Sequence, residues 1–220
     1  MDLLQFIPPL LEGAFITIQL TIISLIVGLL LGLIIALGQM SKLKIIRMLC
    51  SVYISIFRGT PLLVQLMIIY FALPDLGLKF TAFESAIIGL ALNEAAYLAE
   101  IYRGGIQAVP TGQVEAAKAI GMNSYQAFRR IVFPQAIKIA LPGMGNSAII
   151  LLKNTSLAAV ITVGELMYRG ELLAGTTFRN LEIFTIVAVI YWILHYPLTL
   201  LVKYFEKRSD YQNVKRTRNR

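Results

Sequence analysis

Long apolar stretches, separated by short polar runs rich in basic residues, organise this sequence from end to end. Gly13 to Leu37 is the cleanest, since it holds no charged residue and starts straight after Glu12. About 20 residues of helix cross a hydrocarbon layer about 30 Å thick, so this stretch predicts a membrane-spanning helix over about 13–39. A second segment, over about 49–73, is interrupted by Arg58-Gly59-Thr60-Pro61. Leu62 to Leu73 alone would rise only about 18 Å as a helix, so the helix is expected to begin before Pro61 and to kink there. Three more spans are read over about 83–106, 136–163 and 183–205. The chain therefore reads as an all-α membrane protein, a single domain over 1–220 with five transmembrane helices. An odd number places its termini on opposite sides.

Composition agrees with this solvent: 57% of the 220 residues are hydrophobic and 15% charged, outside the balance of a soluble domain. The charges sort by loop. Residues 40–58 hold Lys42, Lys44, Arg47 and Arg58 without an acid, and residues 103–138 hold Arg103, Lys118, Arg129, Arg130 and Lys138 against Glu115. The tail from Lys203 holds seven basic residues. The other side carries Asp2 and Glu12, Lys79 in the 74–84 loop, and Arg169 and Arg179 in the 164–182 loop. The positive-inside rule then puts the N-terminus outside and the C-terminus in the cytoplasm. The net charge of +8 follows from topology, and no nucleic-acid partner is read from it. The end of the tail, Lys215-Arg216-Thr217-Arg218-Asn219-Arg220, suits anionic lipid headgroups. Because the first basic residue, Lys42, follows the first apolar segment, the reverse of a signal peptide, the first helix is expected to stay in the mature protein.

One cysteine, Cys50, and one histidine, His195, are too few for zinc sites, disulfide frameworks or Cys/His nucleophile pairs. Cys50 reads as a small packing residue and His195, beside Trp192 and Tyr196, as a structural one. No Gly-x-x-x-x-Gly-Lys-[Ser/Thr] run occurs, so no phosphate-binding loop, cofactor or metal is expected in this chain. A nucleotide that drives it must sit on another chain.

Gly28-x-x-x-Gly32, continued by Ala36, puts small residues on one face of the first helix and permits close approach by another. Thr17, Thr21 and Ser24 can add hydrogen bonds between helices. Charges inside the apolar segments carry more chemistry. Glu94 lies midway in the third segment, flanked by Asn93 and Tyr97, with Glu100 nearer its cytoplasmic end. Lys153 opens the polar run Lys153-Asn154-Thr155-Ser156 in the fourth. A charge at such depth costs about 2.5–3.5 kcal/mol on insertion scales, so these groups are expected to face protein, water or a partner and to form a polar pathway between the third and fourth helices. Two simpler roles stay open: Glu94 or Glu100 pairs with Lys153, or Glu100 pairs with Arg103. Pro142, Gly143 and Gly145 are expected to loosen the fourth helix and free carbonyls toward a cavity. An intramembrane enzyme would need Glu94 and Glu100 together. Six residues apart, they lie about 240° apart around a helix, which argues against a joint active site.

Between the third and fourth segments, Pro110-Thr111-Gly112 signals a turn, and Glu115, three residues after Gly112, is placed to reach back to a backbone N–H as half a capping box. Val114, Ala116, Ala117 and Ile120 give a short helix a mildly apolar face, and Gly121 suits its C-terminal cap. Asn123-x-x-Gln126 reads as the start of another helix, with Tyr125, Phe128, Ile131 and Val132 as a stripe against the membrane domain. A helical hairpin over about 111–134, on the cytoplasmic face, is predicted.

The run Glu115-Ala116-Ala117-x-x-x-Gly121, followed by Ile131-Val132-Phe133-Pro134, resembles the cytoplasmic loop of permease subunits of bacterial ATP-binding cassette importers, with Phe133 where that family usually has leucine. Arg58-Gly59-Thr60-Pro61-Leu62-Leu63-Val64-Gln65, Ala96-Tyr97-Leu98-Ala99-Glu100-Ile101-Tyr102-Arg103-Gly104-Gly105-Ile106 and Lys153-Asn154-Thr155-Ser156-Leu157 are similar to its polar amino acid branch, of the histidine/glutamine/arginine type. The resemblance implies the type I importer permease fold in a bacterial inner membrane. It implies a second permease subunit, either another copy or a homologous partner, and two cytoplasmic ATPase subunits that carry ATP and Mg. An extracytoplasmic binding protein would deliver the amino acid. The hairpin becomes the coupling helix, with Gly112, Glu115, Ala116, Ala117 and Gly121 toward the ATPase. For the cargo, Glu94 would pair with a cationic side chain, and Asn93, Tyr97 and the cluster Lys153, Asn154, Thr155 and Ser156 would complete the site, with Gln65 as a further candidate. A basic amino acid is thus expected, another polar amino acid such as glutamine being the alternative. A passive channel would lack the ATPase-docking hairpin.

Overall fold

A computed structural model describes residues 3–218, with side chains placed for 4–204. The side chains of the basic tail beyond Tyr204, and Asp2, therefore lie outside the described residues. A turn of 3-10 helix at Leu3–Phe6 leads into α1, Ile7–Gln39, so the first helix starts before the expected Gly13. Pro8 and Pro9 fall in its first turn, where a missing N–H costs nothing.

The second apolar segment is an elbow and not a kinked rod. Helix α2, Lys44–Gly59, and the helical run Leu62–Leu76, which opens with α3, Leu62–Met67, meet at 105°, with Thr60 and Pro61 extended between them. Proline forces the residue before it out of the helical region and denies Phe57 the N–H four residues on. After α3 the chain makes a π turn at Ile68–Ala72 and a 3-10 turn at Leu73–Leu76. The same device recurs after α5, Thr111–Ala119, and α6, Ser124–Ala127, where a π turn at Phe128–Val132 leads into α7, Phe133–Asn154. Each π turn ends two residues before a proline, Pro74 and Pro134. The ring pushes away the carbonyl four residues back, and the helix widens to five-residue spacing to accommodate it.

Helix α4, Ala82–Gln107, starts from a full capping box in which the Thr81 hydroxyl accepts from the Glu84 N–H and the Glu84 carboxylate accepts from the Thr81 N–H. It is the centre of the bundle. At about 39 Å it is long enough to cross a membrane, and it can afford Asn93, Glu94 and Glu100 because α1, the elbow and α7 sheathe it. Gly28 and Gly32 of α1 lie against Glu94 and Leu98, so α1 and α4 run parallel; Cβ atoms at these glycines would come within 3.0 and 2.9 Å of those side chains. Gly105 abuts Ala136 and Ala140 while Gly143 abuts Ile101, which makes α7 antiparallel to α4.

Pro142, Gly143 and Gly145 do not break α7, contrary to the sequence expectation. The helix runs through them, and the glycines admit Ile101 of α4 and Val202 of α9, Asn180–Arg218. The α-helix gives way only at Thr155–Ile161, which is 3-10 and ends on Thr162 at φ +65°. The stretch 164–182, read as a loop, contains α8, Leu166–Thr177, whose Leu166 and Ala174 pack with Phe6, Leu10, Ala14, Ile183 and Val187. Helix α9 returns antiparallel to α7, since Val202 meets Gly145 while Val187 and Tyr191 lie beside Lys153 and Ser156. Among the described residues, Leu4–Gln39, Ser124–Ile161 and Asn180–Tyr204 are long and apolar enough to cross a membrane, and the elbow makes a fourth if counted as one span.

Candidate functional site

The hairpin forms as a unit at the end of α4. Val109 and Ile106 pack with Val132 and Ala136, and Val114 and Phe128 lie against this cluster. Helix α5 starts at Pro110 without a side-chain cap, so Glu115 makes no capping bond. Thr111 to Gln113 already make a helical turn, which the Gln113 N–H closes on Pro110. Gly121 does end the helix in the left-handed region, at φ +83°, with its N–H on Lys118 and that of Met122 on Ala117. Asn123 and Gln126 form the expected capping box.

The apolar residues of α5 divide between two faces. Val114 and Ala117 turn inward, whereas Gly112, Glu115, Ala116 and Ile120 are exposed, Ile120 to 74%. At a spacing of three to four residues these four make one outward stripe. Tyr125, expected to join the inner stripe, is 68% exposed, and Ala127 takes the buried place.

The residues read as a cargo site fall into three places. The first is the elbow. The Gln65 side-chain amide donates to the Phe57 carbonyl at 2.9 Å and to Thr60, while Asn93 donates to the Phe57 carbonyl and to Gln65 Oε1, both at 3.0 Å. Phe57 is the carbonyl that Pro61 leaves without a helical donor, so Gln65 and Asn93 replace the lost bond. Tyr97, one turn beyond Asn93 and half exposed, lies under the Arg58 guanidinium at 5.2 Å. Glu100, on the same stripe of α4, binds Arg103 through both guanidinium arms and Arg58 at 3.8 Å. The Glu100–Arg103 pairing is therefore the one realised.

Glu94 stands in the second place, on a different face of α4. It is 4% exposed, packed against Gly28 of α1, with Ser147 of α7 as its polar neighbour. Its Oε1 has no hydrogen-bond partner among the described residues, and neither it nor Lys153 has an ion-pair partner there.

Lys153 marks the third place. With Ser156 it lines a cavity of about 490 Å³ against Met167, Phe184, Val187 and Tyr191. Asn154 is half-buried beside it, and Thr155 is buried with its hydroxyl on the Leu152 carbonyl. Thus the structure does not bring Glu94 and Lys153 to one ligand-sized spot: from Ser147 to Lys153 is a rise of about 9 Å and a turn to another face of α7.

Behind this cavity stands Glu165, a residue outside the sequence-predicted cargo site. It is fully buried at the start of α8 and accepts from Tyr191 at 2.8 Å, from the Tyr168 N–H at 2.8 Å and from Thr17 at 3.3 Å. The Leu166 N–H in turn donates to Thr17. Burial pushes the Glu165 carboxyl above its usual range, and these donors pull it part of the way back. In the structure Glu165 is the N-cap of α8, and acids gather at helix starts, the one sequence signal that pointed toward it.

Comparison with known proteins places the whole arrangement. Residues 28–211 match the family model of the binding-protein-dependent transport system inner membrane component. The L-cystine transport system permease protein TcyB of Bacillus subtilis (strain 168) is 43% identical over 215 residues, covering 95% of this chain and 91% of that protein. The arginine transport system permease protein ArtQ of the same organism is 39% identical over 203 residues, covering 92% and 93%. A crystal structure of an amino acid ABC transporter with histidines superposes with a TM-score of 0.89 at 40% identity, covering 94% of this chain and 99% of that one.

Proposed function

Because this chain belongs to the binding-protein-dependent transport system inner membrane component family, and is a multi-pass permease subunit of an amino acid ABC transporter, we propose that it forms half of a pathway driven by two ATPase subunits docked on the α5 hairpin. The ATPases carry the ATP and Mg, a second permease completes the pathway, and an extracytoplasmic binding protein supplies the amino acid. In this reading the chain crosses the membrane five times, as α1, the elbow, α4, α7 and α9, with the hairpin and the basic tail in the cytoplasm. The observation that carries it is the outward stripe of Gly112, Glu115, Ala116 and Ile120, an exposed helix face with small residues and one large apolar side chain. It sits on a base packed onto α4 and α7, so a push on it moves two crossings together as a packed element.

The cargo is a basic amino acid. Two deeply buried carboxylates, Glu94 and Glu165, have no basic partner among the described residues, and a cationic side chain on its way through would offset that charge. The cavity of Lys153, Ser156 and Tyr191 has the matching parts for the rest of the molecule: an ammonium for the carboxylate, and the Tyr191–Glu165 pair behind it for the amino group. The arginine permease and the structure with histidines support this cargo, while the cystine permease marks how far substrates vary within the family.

Co-purification tests the ATPase reading. The chain is expected to bring down a stoichiometric ATPase subunit, and Ile120→Asp to release it; a chain that purifies alone, or an unaffected variant, overturns it. Competition assays test the cargo: Glu94→Gln or Glu165→Gln should lower arginine and lysine uptake more than glutamine uptake. Uptake of all three changing equally contradicts a basic cargo.

A further inference from the structure

The outer face of α2 makes none of the contacts described above. Ile45, Met48, Leu49, Val52 and Ile56 form an exposed apolar stripe along it, while Tyr53, Ile54 and Phe57 face Ala36, Ala99 and Tyr102 on the inner side. At its start stand Lys42, Lys44 and Arg47, all exposed and none with a carboxylate partner among the described residues. No acid occurs between Glu12 and Asp75 to supply one. Helix stability does not explain these cations, since positive charge in a first turn opposes the helix dipole. Nor does α2 cross a membrane alone: its 16 residues rise about 24 Å and end at the 105° elbow. Cys50 lies at the end of α1 while Tyr53 and Phe57 reach the middle of α4, so α2 is a half-span with an unpartnered apolar face whose cationic end stands at the level of the lipid headgroups.

We propose that this face of α2 docks on anionic phospholipid, with Lys42, Lys44 and Arg47 on the headgroup phosphates and the Ile45–Ile56 stripe among the acyl chains, and that the docking sets the position of α4. Charge complementarity selects the occupant: three unneutralised cations beside an apolar stripe fit an anionic leaflet, and each contributes about a five-fold preference near such a surface. The link inward is explicit. Tyr53 donates to the Leu92 carbonyl at 2.7 Å, Asn93 donates to the Phe57 carbonyl at 3.0 Å, and Arg58 pairs with Glu100. Helix α2 therefore moves with α4, whose end carries the hairpin through Ile106 and Val109. Cys50 against Gly38 fixes the same helix to α1.

The test uses the complete transporter in lipid nanodiscs, with Ile45→Trp as reporter and the parent complex subtracted. Brominated phosphatidylglycerol is expected to quench the added emission at about one-tenth the concentration of brominated phosphatidylcholine, the order set by three partly screened charges. Lys42→Gln/Lys44→Gln/Arg47→Gln should remove that preference, and Lys42→Arg/Lys44→Arg should keep it. Should the triple variant fail to assemble, Lys42→Gln alone is expected to lower the preference part of the way. Equal quenching by the two lipids, an unchanged preference in the glutamine variants, or no quenching by either lipid because protein covers the face overturns the proposal. The readout is lipid contact, so it stands or falls separately from the identity of the cargo.

Discussion

Asn93 of α4 donates to Gln65 of α3 at 3.0 Å, and together they satisfy the Phe57 carbonyl that Pro61 strips of its helical donor. This knot holds a 105° elbow to the central helix. Asn93→Ala leaves the buried Gln65 Oε1 without its donor, at about 1–3 kcal/mol, while either amide alone still holds the Phe57 carbonyl. Asn93→Ala and Gln65→Ala should each lower the thermal unfolding temperature in detergent. Because they share one hydrogen bond and one carbonyl, the cost of the double variant should depart from the sum by about 0.5–3 kcal/mol. Strict additivity would contradict a shared knot.

A parallel contact of α1 with α4 depends on Gly28 and Gly32, where Cβ atoms would crowd Glu94 and Leu98. Gly32→Leu should overpack this seam at about 1–3 kcal/mol and reduce the yield of folded protein. Gly104→Ala, where a Cβ meets nothing within 4 Å, should be neutral or slightly stabilising. Equal yields for the two variants would contradict the seam.

Glu165 makes stability depend on pH. Burial raises its folded-state pKa above the 4.5 of the free group, so folding holds its proton more tightly than the unfolded chain does. The contribution is fully present below about 4.5 and is lost as pH rises through the folded value. Melting temperature followed upward from pH 4.5 should show a falling component that Glu165→Gln abolishes. An unchanged slope in the variant would place the effect elsewhere.

Much of this was legible from the chain. Apolar length announced the long helices, and Gly28-x-x-x-Gly32 announced the seam of α1 with α4, because small residues at helical spacing permit close approach of another helix. Gly121 announced its left-handed cap for the same kind of reason. Pro142 misled, since a proline within a helix can be accommodated when its neighbours, here Gly143 and Gly145, let adjoining helices close in. Polar residues were harder still. Asn93 and Gln65 read as ligand groups in sequence, and their bonds to the carbonyl orphaned by Pro61 are visible only once the bend is known. Glu165 went unnoticed because it sits outside the long apolar runs, and its burial arises from α1 and α9, far away in sequence.

The left-handed Gly121 also offers a test of the hairpin. With nothing near its Cβ position and φ at +83°, Gly121→Val should cost about 1–2 kcal/mol through backbone strain alone. The hairpin should loosen while the transmembrane helices keep their stability. ATPase activity uncoupled from transport is the expected signature; full coupling would count against a rigid hairpin.

The central claim is that ATP hydrolysis on a partner drives amino acid import through this hairpin. Proteoliposomes holding the whole transporter, supplied with binding protein and radiolabelled arginine on the extracytoplasmic side and ATP on the hairpin side, measure it directly. The account predicts accumulation above the external concentration with ATP, none without it, and loss of accumulation in Ile120→Asp. Equilibration of arginine without ATP, or accumulation untouched by Ile120→Asp, would contradict it.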